Sequence, residues 1–194
     1  MSLFAASLQS PSLKGPAALL LSLSLLSMPA AARAAPPQRG ARVGKRMPWF
    51  ELPNLKNGRK VGLAQLRGHT TMLVVGRSKR AAPRCRAWGV ALHRRFRSWL
   101  EVYQVAVIDK PWYMPRALVL RKVRTFSPAG LHHRVLLEWY TVFADSAAIA
   151  RHDDPVLLLV GPDLIVRWRY RGQLDAAALA RAHRVLAAYA PKRN

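Results

Sequence analysis

The sequence predicts an α/β domain built on a mixed central sheet with helices on its faces. Three observations predict it. Apolar runs at 70–75 (TTMLVV), 103–108 (YQVAVI) and 156–160 (VLLLV) have the length and β-branched content of buried strands. Between the first two lies a stretch with helical periodicity, the β-α-β order of parallel strands. After the third, Gly161-Pro162-Asp163 turns the chain into LIVRWRYR, an antiparallel return that makes the sheet mixed.

The elements follow in order. Residues 50–55 and 59–61 are short extended segments around the tight-turn dipeptide Asn57-Gly58, an N-terminal β-hairpin. Gly62 leads into a short turn, GLAQLRG, and then the strand at 70–75. GRSKRAAP is a polar loop, and Pro83 suits the first turn of a helix. From there Cys85, Trp88, Leu92, Phe96 and Trp99 recur at steps of three and four, one apolar face. Arg84, Arg86, Arg94, Arg95 and Arg97 fall off it. After the strand at 103–108, KPWYMPR is a loop and 116–126 a weak helix pattern. Residues 134–143 fit a strand or a helix, and SAAIARH reads as a short helix. In LIVRWRYR, Val166, Trp168 and Tyr170 alternate with Arg167, Arg169 and Arg171, a half-buried strand. A closing helix over 176–189 has Asp175 as N-cap, Leu174 with Leu179 as a hydrophobic staple, and an apolar stripe of Leu179, Ala182, Leu186 and Tyr189.

The 194 residues suffice for one core-bearing domain. With 51 % hydrophobic and 21 % charged residues the composition is globular. The net charge of +23, from 32 Lys and Arg against 9 Asp and Glu, favours anionic partners. The cations are scattered and three quarters of them are arginine, so a general arginine bias accounts for them better than a dedicated patch does. At the N-terminus, Lys14 is the only charge before Arg33, and 16–28 (PAALLLSLSLLSM) is apolar. Ala32-Arg33-Ala34 is a small-residue site for cleavage between Ala34 and Ala35. This is the pattern of a secretory signal, and the run is short for a membrane span. The expected organisation is a signal over 1–34, a flexible lead-in over 35–46, the domain over 47–190 and a short tail. The mature chain is expected to be periplasmic or extracellular, with no transmembrane span. Cys85 is the one cysteine, so no disulfide within the chain is possible.

Two segments carry a resemblance. Met47-Pro48-Trp49-Phe50-Glu51-Leu52-Pro53 with Gly62-Leu63-Ala64-Gln65-Leu66-Arg67-Gly68 resembles the opening motif of the redoxins, the AhpC/TSA and TlpA-like members of the thioredoxin superfamily. DDPVLLLVGPDLIVRWRYRG resembles their cis-proline segment and β-hairpin, with Pro155 in the cis-proline place. The resemblance spans roughly 42–190 and implies a thioredoxin-like fold. It also implies where a redox centre would stand. The TlpA-like Trp-Cys-x-x-Cys-Arg aligns with Ala81-Ala82-Pro83-Arg84-Cys85-Arg86. Ala82 takes the place of the attacking cysteine and Cys85 that of the resolving one. Without the first thiol the two-cysteine cycle cannot run. The peroxiredoxin pattern also fails, since its two upstream places hold Ser78 and Ala82.

Three readings of Cys85 remain: a packed core thiol, in phase with the apolar face; a monothiol activated by the helix N-terminus, Arg84 and Arg86; and a peroxidase thiol. Ala82, Pro83, Arg84, Arg86, Asp154 and Pro155 are the expected binding surface beside it, with a protein thiol or disulfide, or an anionic envelope component, as partner. Export disfavours nucleic acid. His132-His133 and His152-Asp153-Asp154 lack the spacing of a known metal set and read as solvated loop residues. His152 precedes the Pro155 loop and so lies within reach of Cys85. Trp88, Trp99 and Trp168 fall on core faces; Trp112 and Tyr113 fall in a loop where they could stack on a ligand. No phosphate-binding glycine loop, Ser-His-Asp order or carboxylate pair stands out, and no cofactor is expected. Two functions follow: a redoxin-like protein without dithiol activity that keeps a monothiol role at Cys85, or a non-catalytic binding module.

Overall fold

The protein is described from a computed structural model over residues 40–108 and 113–190. The signal with its Ala34/Ala35 site, Trp112 and the last four residues lie outside the described residues. Of the lead-in expected over 35–46, the described part is held to the sheet. Ala41 is fully buried, its N–H donates to the Ala147 carbonyl, and Gly44 N–H donates to that of Val166. Met47 and Phe50 then plunge into the core while Trp49 stays exposed.

Two short strands, β1 (Glu51–Pro53) and β2 (Lys60–Gly62), pair antiparallel. In the turn between them Asn54 Oδ1 accepts from Asn57 N–H at 2.9 Å, and Gly58 takes the left-handed φ of 76° that a glycine there permits. Gly62 has a steric role. A Cβ on it would stand 2.5 Å from the Phe50 carbonyl oxygen, so only glycine lets the chain turn into α1 (Leu63–Leu66).

The central sheet then forms from β3 (Thr70–Gly76), β4 (Leu100–Val107), β5 (Val135–Glu138), β6 (Val156–Val160) and β7 (Val166–Arg171), in the spatial order β5-β4-β3-β6-β7. β3, β4 and β5 run parallel; β6 and β7 are antiparallel to their neighbours. β3 and β6 lie inside the sheet; β6 is apolar throughout and β3 from Met72 to Val75, as strands covered on both faces are. On one face Met72, Val74, Leu157 and Leu159 pack under α2 (Ala81–Phe96) and α5 (Ala176–Ala187). On the other, Leu73, Val75, Leu158 and Val160 pack against the hairpin and α4 (Val142–Ser146). The remaining helix, α3 (Arg116–Thr125), buries no residue completely; Val119, Leu120 and Val123 rest on Val135, Leu137 and Ile108. The Asp175 cap is present: its carboxylate accepts from Ala178 N–H at 2.7 Å, worth about 1 kcal/mol.

Two expectations need correction, the helix expected over 146–152 and the alternation in the last strand. The open stretch 134–143 holds the strand Val135–Glu138, and the helix expected over 146–152 starts earlier, at Val142. The cause is Glu138, a buried carboxylate that accepts from the N–H groups of Phe143 and Ala144 and so fixes the helix start. Thr141 before it is left-handed, φ 54°, and Ala148 after it is too, φ 50°, which stops the helix before 152. In β7 a bulge opposite Val160 shifts the alternation. Val166 therefore packs with the hairpin face, while Trp168 and Tyr170 face α2 and α5. The three do not share one side.

A candidate site at the head of helix α2

β3 ends at Gly76, and after a four-residue loop α2 begins at Ala81. Gly76 permits a close approach: a Cβ there would stand 2.6 Å from Cys85 Sγ and 3.3 Å from Ala81 Cβ. The thiol thus packs on the end of the central strand, in the cluster that holds Trp88 and Leu92. Cys85 is 5 % exposed. Burial pushes its thiol up to about 12, so it stays protonated at neutral pH.

The loop before β6 is clamped onto this helix start. Ser78 Oγ accepts from Ala81 N–H and donates to Asp153 Oδ1, both at 3.0 Å. Arg80 reaches the other Asp153 oxygen at 3.3 Å, and Arg84 donates to Asp154 at 2.6 Å. The Ser78 hydrogen bond, with help from Arg80, holds the Asp153 carboxyl below the usual carboxylate range. Arg77 spans to the Ile149 carbonyl at 2.6 Å and to Asp145 at 2.7 Å. His152 Nδ1 accepts from Asp154 N–H at 2.9 Å, which leaves the neutral ring's proton on Nε2.

Among the residues singled out by sequence, Arg84 and Asp154 are joined directly, and Ala82, Cys85 and His152 line one crevice. Pro83 and Arg86 are exposed. Pro155 is buried, and Gly172 N–H donates to its carbonyl at 3.2 Å. The cis-proline place is not filled in the expected form: no peptide bond among the described residues is cis, and Pro155 follows Asp154 in trans. The histidine pair sits in a 3₁₀ turn over Ala129–Arg134, with His132 against the Ser127 carbonyl. Burial and the neighbouring Arg134 lower the His133 pKa. No three His, Cys, Asp or Glu side chains converge on a metal position among the described residues. Trp88 is fully buried, its Nε1 donating to the Gly172 carbonyl at 3.0 Å; Trp99 sits edge-on to Phe96; Trp168 stacks on Tyr170. Tyr113 is exposed.

Sequence reasoning missed the crevice itself. It encloses about 910 Å³ between α2 and α3, at the carboxyl ends of β3 and β4, where open α/β sheets place ligands. It also missed Gln104, whose side chain lies against Gly89 of α2. The signal was there: Gln104 is the one polar residue in the core strand YQVAVI.

No family model and no curated protein matches the chain in sequence. Solved structures do match in shape. A protein described as thiol:disulfide interchange protein DsbE from Chlorobium tepidum superposes with a TM-score of 0.62 at 18 % identity, over 78 % of this chain and 100 % of that one. An exposed lipoprotein thioredoxin of Streptococcus pneumoniae strain TIGR4 gives 0.53 at 13 %, over 71 % and 98 %. The thioredoxin domain of a thiol-disulfide oxidoreductase from Bacteroides vulgatus gives 0.52 at 17 %, over 68 % and 90 %. The mixed five-stranded sheet, the helices on its faces and these likenesses together make this a thioredoxin-like fold.

Proposed function

We propose that the protein is an exported thioredoxin-fold binding module in which the redox centre of its structural relatives has become a packed part of the wall. The observation that carries this is Cys85: a neutral thiol, 5 % exposed, with Ala82 where the attacking cysteine would stand. Nucleophilic exchange needs both a thiolate and access to it. Arg84, whose charge would favour a thiolate, is engaged by Asp154. The Ser78–Asp153 and Arg84–Asp154 contacts hold the 152–155 loop against the helix start. Export rests on the N-terminal signal pattern, with cleavage between Ala34 and Ala35. Among the described residues no helix is long and apolar enough to cross a membrane. A net charge of +23 suits an anionic partner.

The test is a disulfide-reduction assay with dithiothreitol as reductant. The wild type is expected to give only the background rate. Ala82→Cys restores a Cys-x-x-Cys spacing and is expected to raise the rate at least about tenfold, because the introduced thiol can attack and Cys85 can resolve. Turnover by the wild type that disappears in Cys85→Ala would overturn the reading.

A further inference from the structure

We infer that the crevice between α2 and α3 binds an apolar organic carboxylate that carries a second hydrogen-bonding oxygen far from its carboxylate, of the kind an ω-hydroxy fatty acid presents. This deepens the reading that the head of α2 is a binding wall, not a redox centre, and three observations carry it.

The first is size and lining. The volume of about 910 Å³ lies toward the upper end for small-ligand sites, roughly 300–1,000 Å³. Leu118, Val119, Val123 and Phe126 of the α3 segment form one wall, with Ala106 and Val135 on the floor. Leu118 is 57 % exposed, an apolar side chain at the opening that an apolar ligand would cover. α3 buries no residue completely, so this wall lacks the apolar cover that the rest of the sheet has.

The second is a polar group at the bottom. Gln104 is 8 % exposed and lines the crevice beside its strand partner Val135. Its carboxamide takes part in none of the described hydrogen bonds. Its polar atoms are not among the fully buried ones without a partner, so the amide opens on the crevice. A plain alkyl end covering it would strip it of water and leave it unpaired, whereas a ligand oxygen reaching the floor pairs with it.

The third is charge. Lys79 on the β3–α2 loop and Lys122 on α3 line the same space, both exposed and neither paired with a carboxylate among the described residues. Arg80 stands beside Lys79, and among the described residues its acidic contact is Asp153. Cations along the crevice and an amide at its base set the two ends of the ligand apart. Cys85, protonated, adds a soft apolar surface between them.

The experiment is isothermal titration calorimetry of the full chain with three probes below their aggregation concentrations: ω-hydroxypalmitate, palmitate and cetyl alcohol. Affinity is expected to fall in that order, by about three- to tenfold per step. Gln104→Met keeps the side chain's size; it should erase the preference for ω-hydroxypalmitate and leave palmitate unchanged. Lys79→Gln with Lys122→Gln should weaken both acids about tenfold and leave the alcohol unchanged. Ala106→Phe fills the floor and should abolish binding of all three, with the unfolding midpoint recording that the fold survives. Equal affinity for all three probes, unaltered by Ala106→Phe, would mean adsorption to the surface and overturn the assignment. Absence of binding by every probe would also overturn it, and would leave the non-catalytic reading of Cys85 standing, since that is tested separately by the disulfide-reduction assay.

Discussion

Gly76 and Cys85 set the character of the site between them. The glycine has no side chain because the sulfur occupies that space, at 2.6 Å from where a Cβ would be. Gly76→Ala is therefore expected to destabilise the protein by about 2 kcal/mol, the usual cost of overpacking a core. Cys85→Ala alone should cost about 1 kcal/mol for the small cavity it leaves. The two changes compensate: the double variant should be more stable than the sum of the single effects by about 1 kcal/mol, read from denaturant midpoints. Strict additivity would show that the thiol does not rest on the strand end. The apolar phase of Cys85 with Trp88 and Leu92 was legible in the sequence, and it led to the same inward-facing thiol that the structure has. The partner across from it was not legible, because a glycine at a strand end carries no sign of what fills its space.

Elements that are internally periodic were read well. The 3.6-residue pattern of α2, the hairpin around Asn57-Gly58 and the Asp175 cap all stand where sequence places them. The failures are tertiary. β5 and α4 share the stretch 134–146, and what divides them is a side chain reaching five residues on, from Glu138 to Phe143 N–H. The bulge in β7 depends on its pairing with β6, which local alternation cannot reveal. The trans Asp154–Pro155 peptide likewise departs from an expectation taken from family likeness rather than from these residues. Glu138 offers a test at this scale. Burial raises its carboxyl above the ordinary 4.5, opposed by the N–H groups of Ala144 and Phe143. The folded state thus holds the proton more tightly than the unfolded one. The stabilisation this gives is complete below the unfolded pKa and is lost as pH rises through the folded one. Relative to wild type, Glu138→Gln should therefore gain in unfolding free energy as pH rises from below the ordinary carboxyl value of 4.5 through the raised folded one. Asp145 and Asp153, held low, act in the opposite direction in both proteins and largely cancel in the difference. A difference that does not change with pH would contradict this account of α4's start.

For the molecule as a whole, the order of strands and helices fixed the architecture, and the likeness to solved thioredoxin-fold proteins agrees with it. The crevice was less legible because it lies between elements: α2, α3 and β4 each look ordinary, and the space appears only when α3 rests lightly on the sheet. The overall charge of +23 was plain from composition, yet composition does not tell which cations are already paired. Arg77, Arg80, Arg84 and Arg167 are, through Asp145, Asp153, Asp154 and Asp163. What remains is a thioredoxin-like frame with a closed thiol and an open crevice beside it. The most direct measurement of the first half of that statement is the alkylation rate of Cys85 in the folded protein at neutral pH, set against the unfolded chain. A protonated thiol that is 5 % exposed should label at least about a hundredfold more slowly when folded, since little of it is thiolate and little of its surface is reachable. Labelling faster in the folded protein than in the unfolded chain would mean an accessible, activated thiolate and would contradict the account.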